Sequence, residues 1–135
     1  KYIKRQGEIG LPDNDLTSPV NYIVIRYADV LLMAAEAHNR STSPDDSKAQ
    51  GYLNQVRNRV NMPPINASGN TLTEAIWAER RLELSGEGHR FFDLVRTAKA
   101  ADEINGFITG KHELFPIPQV EIDLAGGNWS QNNNY

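Results

Sequence analysis

The 135 residues carry 14 Lys+Arg against 17 Asp+Glu, a formal net charge of -3, with 39% hydrophobic and 23% charged residues. That length suits one compact domain, and that usage belongs to a folded chain rather than a disordered one. The mild acidic excess argues against nucleic acid or an anionic membrane as partner, and the zero cysteines exclude a disulfide frame, a thiol nucleophile and a Cys-based zinc site in this segment.

The chain opens on Lys1 rather than Met, without a charged stretch leading into an apolar core. A removed export signal or a longer parent protein would account for that, and the loop-rich start favours the parent. Residues 1–22 are punctuated by Gly7, Gly10, Pro12, Asp13, Asn14 and Pro19 and read as loop. The short apolar run Tyr22-Ile-Val-Ile25 fits either a strand or the lead-in to a helix.

A helical hairpin is expected over 23–64. Its first helix, about Arg26 to Arg40, has Tyr27, Val30/Leu31, Ala34/Ala35 and His38 at three- and four-residue spacing. Ser43-Pro44-Asp45-Asp46 then offers an N-cap, a proline at the first helical position and carboxylates in the first turn. The second helix, about Asp45 to Val60, turns Ala49, Tyr52/Leu53, Val56 and Val60 to one side, and Met62-Pro63-Pro64 stops it. Ala49, Leu53, Val56 and Pro63 echo a tetratricopeptide unit; a generic antiparallel helix pair accounts for them equally.

A second helical pair is expected over 71–105. Thr71-Leu-Thr-Glu74 has the form of a capping box, so a third helix should run from about Leu72 to Ser85 and end at Gly86 and Gly88. A fourth should run from about Arg90 to Ala101 with Phe91, Leu94, Val95, Ala98 and Ala101 along one stripe. Residues 106–135 read as an irregular, extended tail, because Phe115-Pro-Ile-Pro118 excludes helix. The fold class is mainly α.

Chemistry concentrates in one constellation: Glu79, Arg80, Glu83, Glu87, Arg90, Asp93 and Arg96. Glu79 and Glu83 continue the stripe of Leu72 and Ile76, so they point toward the packed side. Arg80 would reach Glu83, and Arg90, Asp93 and Arg96 are likewise spaced by three. Paired carboxylates could serve glycoside cleavage, but one of them must then hold its proton near working pH. Interleaved arginines lower carboxyl proton affinity and oppose that. The constellation therefore reads as a structural ion-pair network, and no catalytic residue is assigned.

No metal ligand or cofactor is assigned either: His38, His89 and His112 fall in no ligand spacing, and neither a phosphate-binding glycine loop nor a nucleophile elbow is present. Tyr27, Tyr52, Phe91 and Phe92 are claimed by packing, and Trp77 reads as a helix-interface anchor. Trp129, set between Gly-Gly-Asn and Ser-Gln-Asn, is left as the candidate platform for a sugar ring.

Several separated motifs together resemble one family. Asn21-Tyr-Ile-Val-Ile-Arg-Tyr-Ala-Asp-Val-Leu-Leu-Met-Ala-Ala-Glu-Ala37, Leu53-Asn-Gln-Val-Arg-Asn-Arg59, Glu79-Arg-Arg-Leu-Glu-Leu-Ser-Gly-Glu-Gly-His-Arg90, Asp93-Leu-Val-Arg96 and Phe115-Pro-Ile-Pro118 are similar to the SusD/RagB family of outer-membrane glycan-binding lipoproteins of Bacteroidota. The order continues through Glu121-Ile122 and Gln131-Asn132 to Tyr135, with Asn132-Asn-Asn-Tyr135 in place of the family's Asn-Pro-Gly-Tyr ending.

The resemblance implies the C-terminal portion of such a protein. It implies a tetratricopeptide-containing fold without enzymatic activity or cofactor, and capture of oligosaccharides for a TonB-dependent transporter of the SusC type at the outer-membrane surface. Membrane association would come only through a lipid anchor outside this segment. No ligand residue is carried over, since the family's glycan-contacting aromatics come largely from upstream regions. A helical-repeat module that docks proteins is the alternative.

Overall fold

The computed structural model describes residues 23–135; the loop expected over 1–22 lies outside the described residues. Six helices follow in order: α1 (Tyr27–Arg40), α2 (Asp46–Arg59), α3 (Gly69–Glu83), α4 (Arg90–Arg96), α5 (Ala100–Glu103) and α6 (Gln119–Leu124). There is no strand among the described residues, and Ile23 to Ile25 form an exposed irregular lead-in to α1.

The hairpin α1–α2 packs over its length, and α3 lies chiefly against α1. Leu32, Ala35, Ala49, Leu53, Leu72 and Ile76 are fully buried between the three, with Val56 and Leu31 beside them. Burying each such leucine or isoleucine contributes roughly 1.5–3 kcal/mol, so this small three-helix core is the main driving force of the fold.

The inward face of α1 is not the expected one. Tyr27 is exposed and Val30 and Met33 are half-exposed, while Asp29, Leu31, Leu32, Ala35, Glu36 and Asn39 are buried. The stripe is rotated by about one residue because two carboxylates and an amide on the inner face find partners there. On α2, Val60 likewise turns out to be an exposed C-cap rather than a core residue.

Helix ends also depart from local expectation. Asp45 is the N-cap of α2, accepting the Lys48 N–H at 3.0 Å, so Pro44 stands just before the cap instead of inside the helix. The helix closes before its prolines: Asn61 takes a left-handed conformation (φ 58°) and Met62 N–H returns to the Arg57 carbonyl. The capping box at Thr71 does not form, since α3 begins at Gly69. Asp46 accepts the Gly69 N–H at 2.8 Å, and its tertiary carboxylate replaces a local cap. Thr73 instead donates to Asn39, whose amide reaches Asp46 and the Gly69 carbonyl.

The single helix expected over 90–101 is broken. Ala98 sits at φ 57°, its N–H returns to Val95 and the Lys99 N–H to Leu94, and α5 starts two residues later. Thr97 Oγ1 donates to the Asp93 carbonyl and helps end α4. The break carries Lys99 to Glu74 on α3 at 2.6 Å. Of the expected stripe Leu94 is buried, while Phe91 is partly exposed and Ala98 and Ala101 are exposed; Phe92, also assigned to packing, is largely exposed.

Sequence reasoning missed α6, which follows directly on Pro118. Beyond it the tail is fastened through side-chain amides. Gln131 brackets the Ile117 peptide from both sides, Asn132 donates to the Phe115 carbonyl, Asn134 to Gly110 and the Tyr135 hydroxyl to Leu114.

Candidate functional site

Because α3 packs by its Leu72–Ile76 face, the next inward positions, Glu79 and Arg80, are buried as well. Glu79 accepts from Arg57 of α2 at 2.6 Å. Glu83, one turn on, takes Arg26 at 2.6 Å and Arg59 at 2.8 Å, and Arg26 also donates to Glu87 at 2.8 Å. Arg80 turns to Asp29 at 2.7 Å and Asp93 at 3.3 Å, away from the expected Glu83. Arg90 pairs with Glu103 at 2.9 Å rather than with Asp93. Arg96 holds Asp93 at 2.7 Å and forks onto both oxygens of Glu36 at 2.7 and 2.9 Å.

Six members of this lattice went unseen in the sequence: Arg26, Asp29, Glu36, Arg57, Arg59 and Glu103. The legible signal was the inward spacing of Asp29 and Glu36, seven residues apart on α1, which the apolar pattern around them masked.

Electrostatics follow from this geometry. Burial alone would raise the Glu36 carboxyl, but the Arg96 fork, the nearby Trp77 indole N–H and Arg40 overcome it and pull it from 4.5 to about 2. The indole Nε1 is itself buried without a partner at full hydrogen-bond geometry, so its help to Glu36 is a weak contact. Arg96 is correspondingly driven up, first by its bond to Glu36, and Arg26 by its bond to Glu87. Ionised Glu36 and permanent guanidiniums can brace helices and hydrogen-bond hydroxyl groups.

Beside the lattice, where the start of α1 meets the ends of α2 and α3, lies an open cleft of about 960 Å³. Its floor includes Leu31 and Val56, and its rim carries Tyr27, Gln55, Asn58, Arg59, Glu83 and Glu87. Trp77 lies elsewhere, half-buried, with the Arg40 guanidinium 5.3 Å and the Lys99 ammonium 5.2 Å from its ring centre. Trp129 is exposed near the end of the tail and is not brought to either feature.

His38 stacks on Tyr52, His89 stands at the N-cap position of α4 without a capping side-chain bond, and His112 accepts the Ile108 N–H. No cluster of His, Asp and Glu among the described residues is arranged to hold a metal ion. No helix among them is long and apolar enough to cross a membrane.

Residues 12–114 match the family model described as the SusD family. The chain belongs to the SusD family. Among its SusD relatives, SusD-like protein P2 of Formosa agariphila is 34% identical over 98% of this chain and 29% of its own length. A SusD homolog from Bacteroides thetaiotaomicron superposes with a TM-score of 0.74 at 38% identity, covering 84% of this chain and 25% of that one. Surface glycan-binding protein A from the same organism superposes with a TM-score of 0.70 at 37% identity, over 83% of this chain and 24% of that one. The chain thus spans less than a third of the length of these SusD proteins.

Proposed function

We propose that this chain is the C-terminal portion of a non-catalytic glycan captor at the outer-membrane surface, which passes oligosaccharides to a TonB-dependent transporter of the SusC type. The observation that carries the reading is the likeness, in sequence and in fold together, to a surface glycan-binding protein. The site chemistry agrees with it. Glu36 is held ionised by Arg96, and the other inward carboxylates are engaged by arginines, an arrangement suited to bracing rather than to protonating a glycosidic oxygen. A lipid anchor on the longer protein would supply membrane attachment.

The test is a glycan array probed with the intact protein, neutral and acidic oligosaccharides side by side, together with an assay for new reducing ends. Retention of a glycan without cleavage is expected. Release of reducing ends that is lost in Glu83→Gln would overturn the non-catalytic reading. Tight binding of peptides with no glycan retained would favour the helical-repeat docking module instead.

A further inference from the structure

Asn105–Gly106 is the one asparagine–glycine step in the 135 residues. The two residues form the centre of a turn just after α5, closed by the Phe107 N–H, which donates to the Ile104 carbonyl at 3.1 Å. Gly106 takes φ 79°, a conformation that a residue with a Cβ resists, and the space where a Cβ would stand is open. Both residues are exposed. Among the described residues neither the Asn105 carboxamide nor the Gly106 N–H makes a hydrogen bond. Elsewhere such amides are held: those of Asn39, Asn54 and Asn132 each donate to a backbone carbonyl.

An asparagine carboxamide is an electrophile that the next backbone nitrogen reaches through a five-membered ring. Hydroxide removes the Gly106 amide proton, the nitrogen attacks Asn105 Cγ, and the side-chain nitrogen takes up a proton and leaves as ammonia. The cyclic imide then adds one water. Opening at the side-chain carbonyl gives aspartate. Opening at the main-chain carbonyl gives isoaspartate, in which the backbone runs through Cγ and is longer by one carbon. The net change is one water in and one ammonia out, with no oxidant, reductant or cofactor. Ring closure needs rotation about the Asn105 Cα–C bond and close approach of the next nitrogen. A glycine permits both, and a turn resting on one exposed hydrogen bond opposes them little.

This turn stands where the helical body gives way to the tail. It sets the Phe107 ring 6.4 Å from that of Phe91 on α4 and edge-on to His112 at 5.7 Å, and His112 in turn accepts the Ile108 N–H. We propose that Asn105 is a self-modification site, converted by water through a succinimide to isoaspartate, and that the added backbone atom parts Phe107 from Phe91 and loosens the start of the tail. The proposal is independent of the glycan-captor reading.

The intact protein is aged in warm, mildly alkaline heavy-oxygen water and then digested with trypsin. The fragment 100–111 holds Asn105 as its sole amide side chain, so an amide-to-acid mass gain carrying heavy oxygen assigns the conversion to this residue in the folded chain. Its rate should rise with hydroxide and exceed by about tenfold that of the fragment 60–80, whose asparagines precede Met62, Ala67 and Thr71, each with a Cβ in the way. Electron-transfer fragmentation should show isoaspartate as the main product. Hydrogen exchange at the Phe107 and Ile108 N–H groups should then speed up severalfold in the aged protein. Freshly prepared Asn105→Asp brings the charge without the added atom, and Asn105→Gln would need a larger ring; both should keep the exchange of unaged protein.

A fragment 100–111 that converts no faster than 60–80 in the folded chain, while denatured protein converts readily, would show that the fold shields the step and would overturn the site. Conversion with unchanged exchange at Phe107 and Ile108 would overturn the loosening, as would equally fast exchange in fresh Asn105→Asp.

Discussion

Arg80 and Asp29, 51 positions apart in the chain, meet at 2.7 Å with 6% of each side chain exposed. This pair ties α3 to the first turn of α1, and the Nε of the same guanidinium donates to Asp93 at 3.3 Å, which fastens α4. Removing one member strands the other in a dry environment. Arg80→Ala should therefore lower the stability of the intact protein by about 3–5 kcal/mol in denaturant unfolding. The double variant Arg80→Met with Asp29→Leu removes both charges and should recover most of that loss. A double variant as unstable as the single would show that the pair itself, and not the stranded charge, carries the energy.

Glu36 gives the fold an acid limit. Its folded value of about 2 lies below the ordinary 4.5, so its contribution is fully present above the ordinary value and is lost as pH falls through about 2. Arg96 and Arg40 are 40% and 49% exposed, which admits screening, so the contribution is about 1–2 kcal/mol rather than the full linkage value. In thermal melts between pH 2 and 6, wild type should exceed Glu36→Gln above pH 5, and the gap should close toward pH 2. A gap that stays constant across this range would show that Glu36 does not titrate as described.

Asn39 links three elements at once, through Asp46 at 2.8 Å, the Gly69 carbonyl at 3.2 Å and the Thr73 hydroxyl. Asn39→Ala leaves the buried Thr73 hydroxyl with only the longer bond to its own helix and should cost about 1–3 kcal/mol. Hydrogen exchange at the first turn of α3 should accelerate in the same variant, because the Asp46 carboxylate that receives the Gly69 N–H loses its orienting amide. Loss of global stability without faster exchange there would contradict this role.

Ala98 holds a left-handed backbone at the junction of α4 and α5, a conformation that is unfavourable by about 1–2 kcal/mol for a residue with a Cβ. Ala98→Gly should raise the melting temperature slightly, by relief of about 0.5–1 kcal/mol net of chain entropy, whereas Ala98→Val should lower it. Equal melting temperatures for all three would argue that the junction relaxes at no cost.

Periodicity alone was enough to place α2 and α3. Ala49, Leu53 and Val56, and then Leu72, Ile76 and Glu79, recur at helical spacing and are all buried, because local geometry fixes which positions share a face. The mainly α character and the motifs of the SusD family were legible for the same reason: each is a short stretch read in order. Helix ends were less so. The apparent cap at Thr71 lost to a carboxylate 23 positions before Gly69, and α6 was hidden behind the prolines that precede it.

What the chain order could not express is who answers each charge. Arg26 finds Glu83 57 positions away and Arg96 finds Glu36 at 60, so helical spacing suggested the wrong partners for Arg80 and Arg90. Those long-range pairs turn Asp29 and Glu36 inward, rotate the buried face of α1 and leave Tyr27 outside, beside the cleft. The sequence by itself determined that the segments of α1, α2 and α3 coil and which side of α2 and α3 is apolar. Only tertiary structure decided the orientation of α1 and the existence of the cleft, since a buried charge is tolerable only where its counter-ion arrives from another helix.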